Sequence, residues 1–178
     1  GNALRDLERP EEALRAYREA ILRQPDLGEA HFHLGLVLEE LGQEAAALAA
    51  FEAAVRFRPD LALGHLQLGT AYREAGRLEE AIESCGRAIS LDPGLVLGYC
   101  GLGAALWEVG QYHGAADALQ AALAIDPERP EVHNWMGQVC KSLGYLDQAV
   151  SAYRQALAVR PDYAEAHFNL AVLLGELH

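Results

Sequence analysis

Seven histidines and three cysteines are the side chains here with most to offer chemically. Four of the histidines, His31, His65, His133 and His167, fall on one register, with Tyr99 standing where a fifth would be. A recurring His invites a metal reading. Zinc, however, needs ligands that converge within ~2.0–2.3 Å of one point. Residues a whole structural repeat apart are separated by roughly 8–10 Å or more, the distance between packed helices. The set cannot share an ion within one chain, so a packing ring at a fixed position is expected. Cys85, Cys100 and Cys140 form no Cys-x-x-Cys pair. Cys85 and Cys140 read as small buried hydrophobes and Cys100 as a more accessible thiol. No GxSxG, HExxH or P-loop signature occurs. No nucleophile–base pair, metal site or cofactor is therefore expected, and the chain reads as non-enzymatic.

Composition narrows the field further. The 178 residues are 51% apolar and 22% charged, enough to build a core and unlike a disordered chain. Fourteen basic residues against 26 acidic ones give a formal charge of -12. Nucleic acid and anionic membranes both call for a basic face, so neither is an expected partner. Three cysteines make no disulfide framework, which favours a reducing, cytoplasmic setting. No run of uncharged apolar residues is long enough to span a bilayer. No signal segment and no initiator Met are present, and a larger parent polypeptide is expected.

What positions these side chains is a repeat. Pro25, Pro59, Pro93, Pro127 and Pro161 are each 34 residues apart. Ala13, Ala47, Ala81, Ala115 and Ala149 keep the same period, as do Ala20, Ala54, Ala88, Ala122 and Ala156. Gly1, Gly35, Gly69, Gly103 and Gly137 form a third ladder, and Gly42, Gly76, Gly110 and Gly144 a fourth. The last set predicts left-handed helix ends, where glycine carries no Cβ penalty. Each Pro follows a second helix that it cannot continue. Asp26, Asp60 and Asp162 come next and are expected to cap the following helix. The small Gly and Ala positions mark helix crossings. First helices are predicted near 28–41, 62–75, 96–109, 130–143 and 164–177, and second helices near 11–24, 45–58, 79–92, 113–126 and 147–160.

These residues resemble the tetratricopeptide repeat, a helix-turn-helix unit of 34 residues. In the family's count Leu-Gly stands at seven and eight, as in Leu34-Gly35, Leu68-Gly69 and Leu102-Gly103, with Met136-Gly137 as the variant. Position four holds His31, His65, Tyr99, His133 and His167 in place of the usual Trp, and position twenty-four holds Tyr17, Phe51, Cys85, Leu119 and Tyr153. The frame divides the chain into one array: a partial repeat 1–27, complete repeats 28–61, 62–95, 96–129 and 130–163, and the first helix of another, 164–178. The resemblance implies an all-α solenoid of antiparallel helix pairs, part of a right-handed superhelix, with first helices on its concave side.

It also implies which residues face a ligand. The candidate peptide-binding groove takes Phe32, His33 and Leu36 from the second repeat, and Leu63, Leu66, Gln67, Thr70 and Arg73 from the third. Leu97, Cys100 and Trp107 follow from the fourth, Asn134, Trp135, Gln138 and Lys141 from the fifth, and Phe168 and Asn169 from the last helix. Aromatic anchors are what binding surfaces concentrate. Glu29, Glu39, Glu40, Glu74, Glu108, Glu131 and Glu165 add an acidic rim. The chaperone-binding members of the family clamp a terminal carboxylate with basic residues and Asn; here Arg73 and Lys141 are the only groove bases, and no such clamp is present. In the repeat region of O-linked N-acetylglucosamine transferases Asn recurs at position six, which Asn169 alone matches here.

Three roles fit this reading: a scaffold for proteins or peptides with apolar anchors and basic residues; the recognition arm of a larger enzyme, such as one of those transferases; and a module that self-assembles into a homo-oligomer. For the last, the apolar ends are the expected contact, with Leu4 and Leu7 at one end and Leu170, Leu173, Leu174 and Leu177 at the other.

Overall fold

A computed structural model describes residues 10–177 of the chain. Gly1, Leu4 and Leu7 lie outside the described residues. Ten helices and no strand occur among the residues described. Backbone packing divides the chain into two compact units, Gly1–Asp92 and Pro93–His178.

The first unit holds α1 (Pro10–Arg23), α2 (Gly28–Glu40), α3 (Glu44–Phe57), α4 (Ala62–Glu74) and α5 (Leu78–Leu91). The second holds α6 (Val96–Glu108), α7 (Tyr112–Ile125), α8 (Pro130–Ser142), α9 (Leu146–Val159) and α10 (Ala164–Glu176). Each boundary falls within one residue of the spacing's prediction. Even-numbered helices are the first helices of their repeats. In the four complete repeats the odd-numbered helix that follows packs against its first helix as the antiparallel partner.

The ladders act as their chemistry requires. Gly42 and Gly76 have φ of 69° and 74°, and Gly110 and Gly144 of 84° and 79°, the left-handed region. At the end of α2 the Gln43 N–H reaches back to the Leu38 carbonyl at 2.8 Å and the Gly42 N–H to Glu39 at 2.9 Å. This double closure satisfies carbonyls that the helix itself leaves open. It recurs after α4, α6 and α8, where Arg77, Gln111 and Tyr145 bond Tyr72, Leu106 and Cys140.

At the N-termini the expectation fails. The capping positions of α2, α4 and α10 are Leu27, Leu61 and Tyr163, one residue after Asp26, Asp60 and Asp162, and none of these helices has a side-chain cap bond. The cap position is used for packing: Leu61 lies against the core of the first unit. Asp60 accepts instead from Arg58 Nε at 3.1 Å, and that bond holds its carboxyl below the usual range.

The His register has a second use besides packing. The Nε2–H of His31 donates to the Pro25 carbonyl at 2.8 Å and that of His65 to Pro59 at 3.1 Å. In the second unit His133 and His167 reach Pro127 and Pro161, each at 2.8 Å. Each bond ties the first turn of a helix to the turn that leads into it. His31 also stacks on Phe57 with ring centroids 5.4 Å apart.

The cores form where helices cross. In the first unit Phe32, Leu38, Phe51 and Leu68 pack with Ala47, Ala50 and Ala54. In the second, Leu119, Val132 and Val139 form one cluster and Cys140, Tyr153 and Leu173 another. Cys85 and Cys140 are buried and Cys100 is half-buried. Burial pushes the Cys85 thiol up to about 11.

Candidate functional site

In the first unit the proposed groove residues have mixed fates. Phe32 and Leu66 are buried, and Phe32 packs 6.2 Å from the Phe51 ring. His33 stacks on Tyr17 at 5.6 Å. Leu36, Gln67, Thr70 and Arg73 are half-buried, and Thr70 returns its hydroxyl to the Leu66 carbonyl at 3.2 Å. Leu63 is exposed. Beside them, Glu39, Glu44 and Glu74 rim a cleft of about 200 Å³ floored by alanines and Leu48. Burial, and then repulsion from Glu74 and Glu40, raises the Glu39 carboxyl above its ordinary value.

The second unit gathers more. Its first helices α6, α8 and α10 contact one another in succession. Trp107 on α6 meets Trp135 on α8 edge to face, with centroids 5.9 Å apart. The Trp107 indole N–H donates to Ser142 Oγ at 2.9 Å, and Ser142 donates to the Gln138 carbonyl at 3.0 Å. Both indoles are half-buried.

Below them runs a polar network that the spacing does not announce. Asn134 is fully buried. Its Nδ2 donates to Glu165 Oε1 at 3.0 Å, and its Oδ1 accepts from Asn169 Nδ2 at 3.0 Å. Gln138 Nε2 joins at 3.3 Å from the same Glu165 oxygen. The Tyr163 hydroxyl donates to Glu165 Oε2 at 3.1 Å. Burial and the Glu165 charge push that phenol up to about 12. Glu165 thus belongs to the structural network that joins α8 to α10. Lys141 is 2.8 Å from both carboxylate oxygens of Glu176.

Over this network lies a cleft of about 370 Å³ lined by Trp107, Gln138, Lys141, Ser142, Tyr153, Asn169 and Val172. Leu97, Phe168 and Val172 are exposed on the same three helices. The half-buried Cys100 has its thiol raised by burial. The residue the ladders misassign in part is Tyr153, whose position promises packing alone yet which lines the cleft. The signal was its pairing with Gly137, whose missing side chain leaves room for the ring: a Cβ there would lie 2.4 Å from Tyr153 Cε1.

Among the described residues no group of three or more His, Cys, Asp or Glu side chains is placed to hold a metal ion. Among them, too, no helix is long and apolar enough to cross a membrane.

With this geometry in place, comparison with known proteins gives a consistent result. A family model described as "Tetratricopeptide repeat" matches residues 1–62. A second, described as "TPR repeat", matches 69–110, 108–144 and 137–177. No curated protein sequence matches the chain. Among solved structures, MamA is 24% identical with a TM-score of 0.85, covering 93% of this chain and 96% of its own. YrrB, described as "a TPR protein with an unusual peptide-binding site", is 21% identical with a TM-score of 0.84, over 94% and 86% of the two chains. A thermophilic TPR protein of Thermus thermophilus is 26% identical with a TM-score of 0.73, over 98% and 95%.

Proposed function

The chain belongs to the tetratricopeptide repeat family, and from that premise we propose that it is a non-catalytic scaffold that binds a protein or peptide segment along its first helices. The observation that carries this is the cleft beside the Trp107–Trp135 pair, open between α6, α8 and α10. Aromatic side chains held in place by packing and a hydrogen bond lose little entropy when they take a ligand, which is why such residues dominate binding energetics. The exposed Phe168 and Val172 extend the apolar surface beside the cleft. YrrB's description as peptide-binding supports the reading by analogy of fold alone. The net charge of -12 and the acidic side chains along the first helices favour ligands that carry Lys or Arg next to their apolar anchors.

The test is selection of binders from a random peptide library on the immobilised protein, followed by titration of the best one. Trp107→Ala should weaken it roughly tenfold or more, as for a central anchor. Equal affinity for both proteins would remove Trp107 from the site. A library that yields no binder, with a mass that rises with concentration in light scattering, would assign the surface to a second copy of the chain.

A further inference from the structure

Four second helices send a side chain across the glycine of their facing first helix. Phe51 crosses Gly35, Cys85 crosses Gly69, Leu119 crosses Gly103 and Tyr153 crosses Gly137. Of these, only Tyr153 ends in a strong hydrogen-bonding group. Tyr153 is 1% exposed, yet it lines the cleft between α6, α8 and α10. No described residue hydrogen-bonds its hydroxyl. The hydroxyl is not sealed in the core but meets the cleft, and Phe would fill the same space, as Phe51 does in its own repeat. A polar tip brought to a cleft floor through a gap in the facing helix is a group placed for a ligand.

Its neighbours define that ligand. Asn169 and Gln138 each commit one amide N–H, to Asn134 and Glu165, which leaves each a carbonyl acceptor and one further N–H donor beside the cleft. Lys141 is neutralised by Glu176, so no uncompensated charge favours an ion. Trp107 and Val172 supply apolar walls. Burial, Cys140 and the nearby Glu165 and Glu176 carboxylates push the Tyr153 phenol up to about 12, keeping it a neutral donor. A neutral group that both accepts and donates matches this set.

We propose that this cleft is a carboxamide pocket, in which the Tyr153 hydroxyl donates to the amide oxygen and the Asn169 and Gln138 carbonyls accept its N–H groups, while an adjacent apolar side chain rests on Trp107. The inference rests on the peptide-binding reading above and sharpens it. The carboxamide is the side chain of Asn or Gln, or a backbone amide of the bound segment.

The probes are the library-selected peptides, resynthesised in three forms: each Asn or Gln changed to Leu, each changed to Asp or Glu, and each backbone amide N-methylated in turn. A site built to hydrogen-bond rejects analogues that cannot, so one of these changes should weaken binding about tenfold or more. Tyr153→Phe, which Phe51 shows to be sterically acceptable, should abolish that discrimination and leave the contribution of Trp107 intact. Sensitivity to the side-chain changes identifies an Asn or Gln ligand; sensitivity to N-methylation identifies the backbone; either supports the pocket. Peptides that bind in a Trp107-dependent way but tolerate every change, or that discriminate equally against Tyr153→Phe, overturn the pocket and spare the scaffold reading. Failure of all peptides to bind overturns both.

Discussion

Glycine-to-alanine replacement should have opposite signs at two places in this chain, and the geometry sets the sizes. In a helix interior the exchange removes backbone freedom from the unfolded chain and stabilises by about 0.5–1 kcal/mol. At Gly86, inside α5, a new Cβ meets nothing within 4 Å, so Gly86→Ala should realise that gain in full. At Gly137, inside α8, the same Cβ would lie 2.4 Å from Tyr153 Cε1 and 2.6 Å from Cδ1. The ring is buried and fixed, so the clash must be met by moving α8 from α9. Overpacking of this kind costs typically ~1–3 kcal/mol, which cancels or outweighs the helix gain and leaves a net loss of up to roughly 2.5 kcal/mol. Gly103 lies between the two, since its Cβ would meet Leu119 Cγ at 3.0 Å. A change of 1 kcal/mol moves Tm by about 2–4 °C in a chain of this size. Both tryptophans, Trp107 and Trp135, lie in the second unit. Their fluorescence therefore reports Gly103→Ala and Gly137→Ala there, and far-UV circular dichroism follows Gly86→Ala. Separate readouts matter because two compact units need not melt as one. Tyr153→Leu should recover part of the loss in a Gly137→Ala background. If Gly137→Ala stabilises as much as Gly86→Ala does, close helix crossing is not the reason for a glycine at position 137.

Two further perturbations probe charge and polarity. Asn134→Ala removes the buried link between α8 and α10 and leaves Asn169 and Glu165 short of partners; a loss of about 1–3 kcal/mol is expected, and an unmoved urea midpoint in Trp fluorescence would refute it. In the first unit burial foremost lowers the His65 pKa from its ordinary 6.5, with Arg87 adding to the effect and the Pro59 carbonyl opposing it. Because the unfolded state then binds the proton more tightly, stability is full above pH 6.5 and declines as pH falls through that value toward the folded pKa; His65→Gln should flatten that limb of a Tm-versus-pH profile, and a limb that survives the exchange would assign it to other groups.

How much was legible beforehand follows from what a period can encode. A 34-residue register reports what every repeat shares: where helices stop, where they cross, which positions stay small. Gly42 and its equivalents end their helices as expected because chirality makes the left-handed conformation a glycine site whatever surrounds it. The Asp residues after the prolines misled for the opposite reason. Asp caps well on average, but here the cap position packs: Leu61 lies against the core, and the neighbouring Asp60 pairs with Arg58. A tertiary contact overrode a local preference, and only the fold reveals which residue takes it.

The same limit governs the site. Counting positions placed Trp107, Trp135, Gln138, Lys141 and Asn169 on one stripe of first helices, and the second unit does bring them onto neighbouring helices. Counting also placed Asn134 on that stripe, yet it lies at 0% exposure, enclosed between Glu165 and Asn169. Its burial depends on those two partners from a different helix, which no spacing along α8 could disclose. Tyr153 shows the converse. The register assigns its position to packing, correctly for the ring that passes Gly137, but it averages Tyr153 with Tyr17, Phe51, Cys85 and Leu119 and so is silent about where the hydroxyl meets a cleft. In a repeat array the shared residues build the frame, and what one repeat does differently from its neighbours is where binding chemistry has room to arise. Asn134 and the two tryptophans are such departures, and all three belong to the second unit.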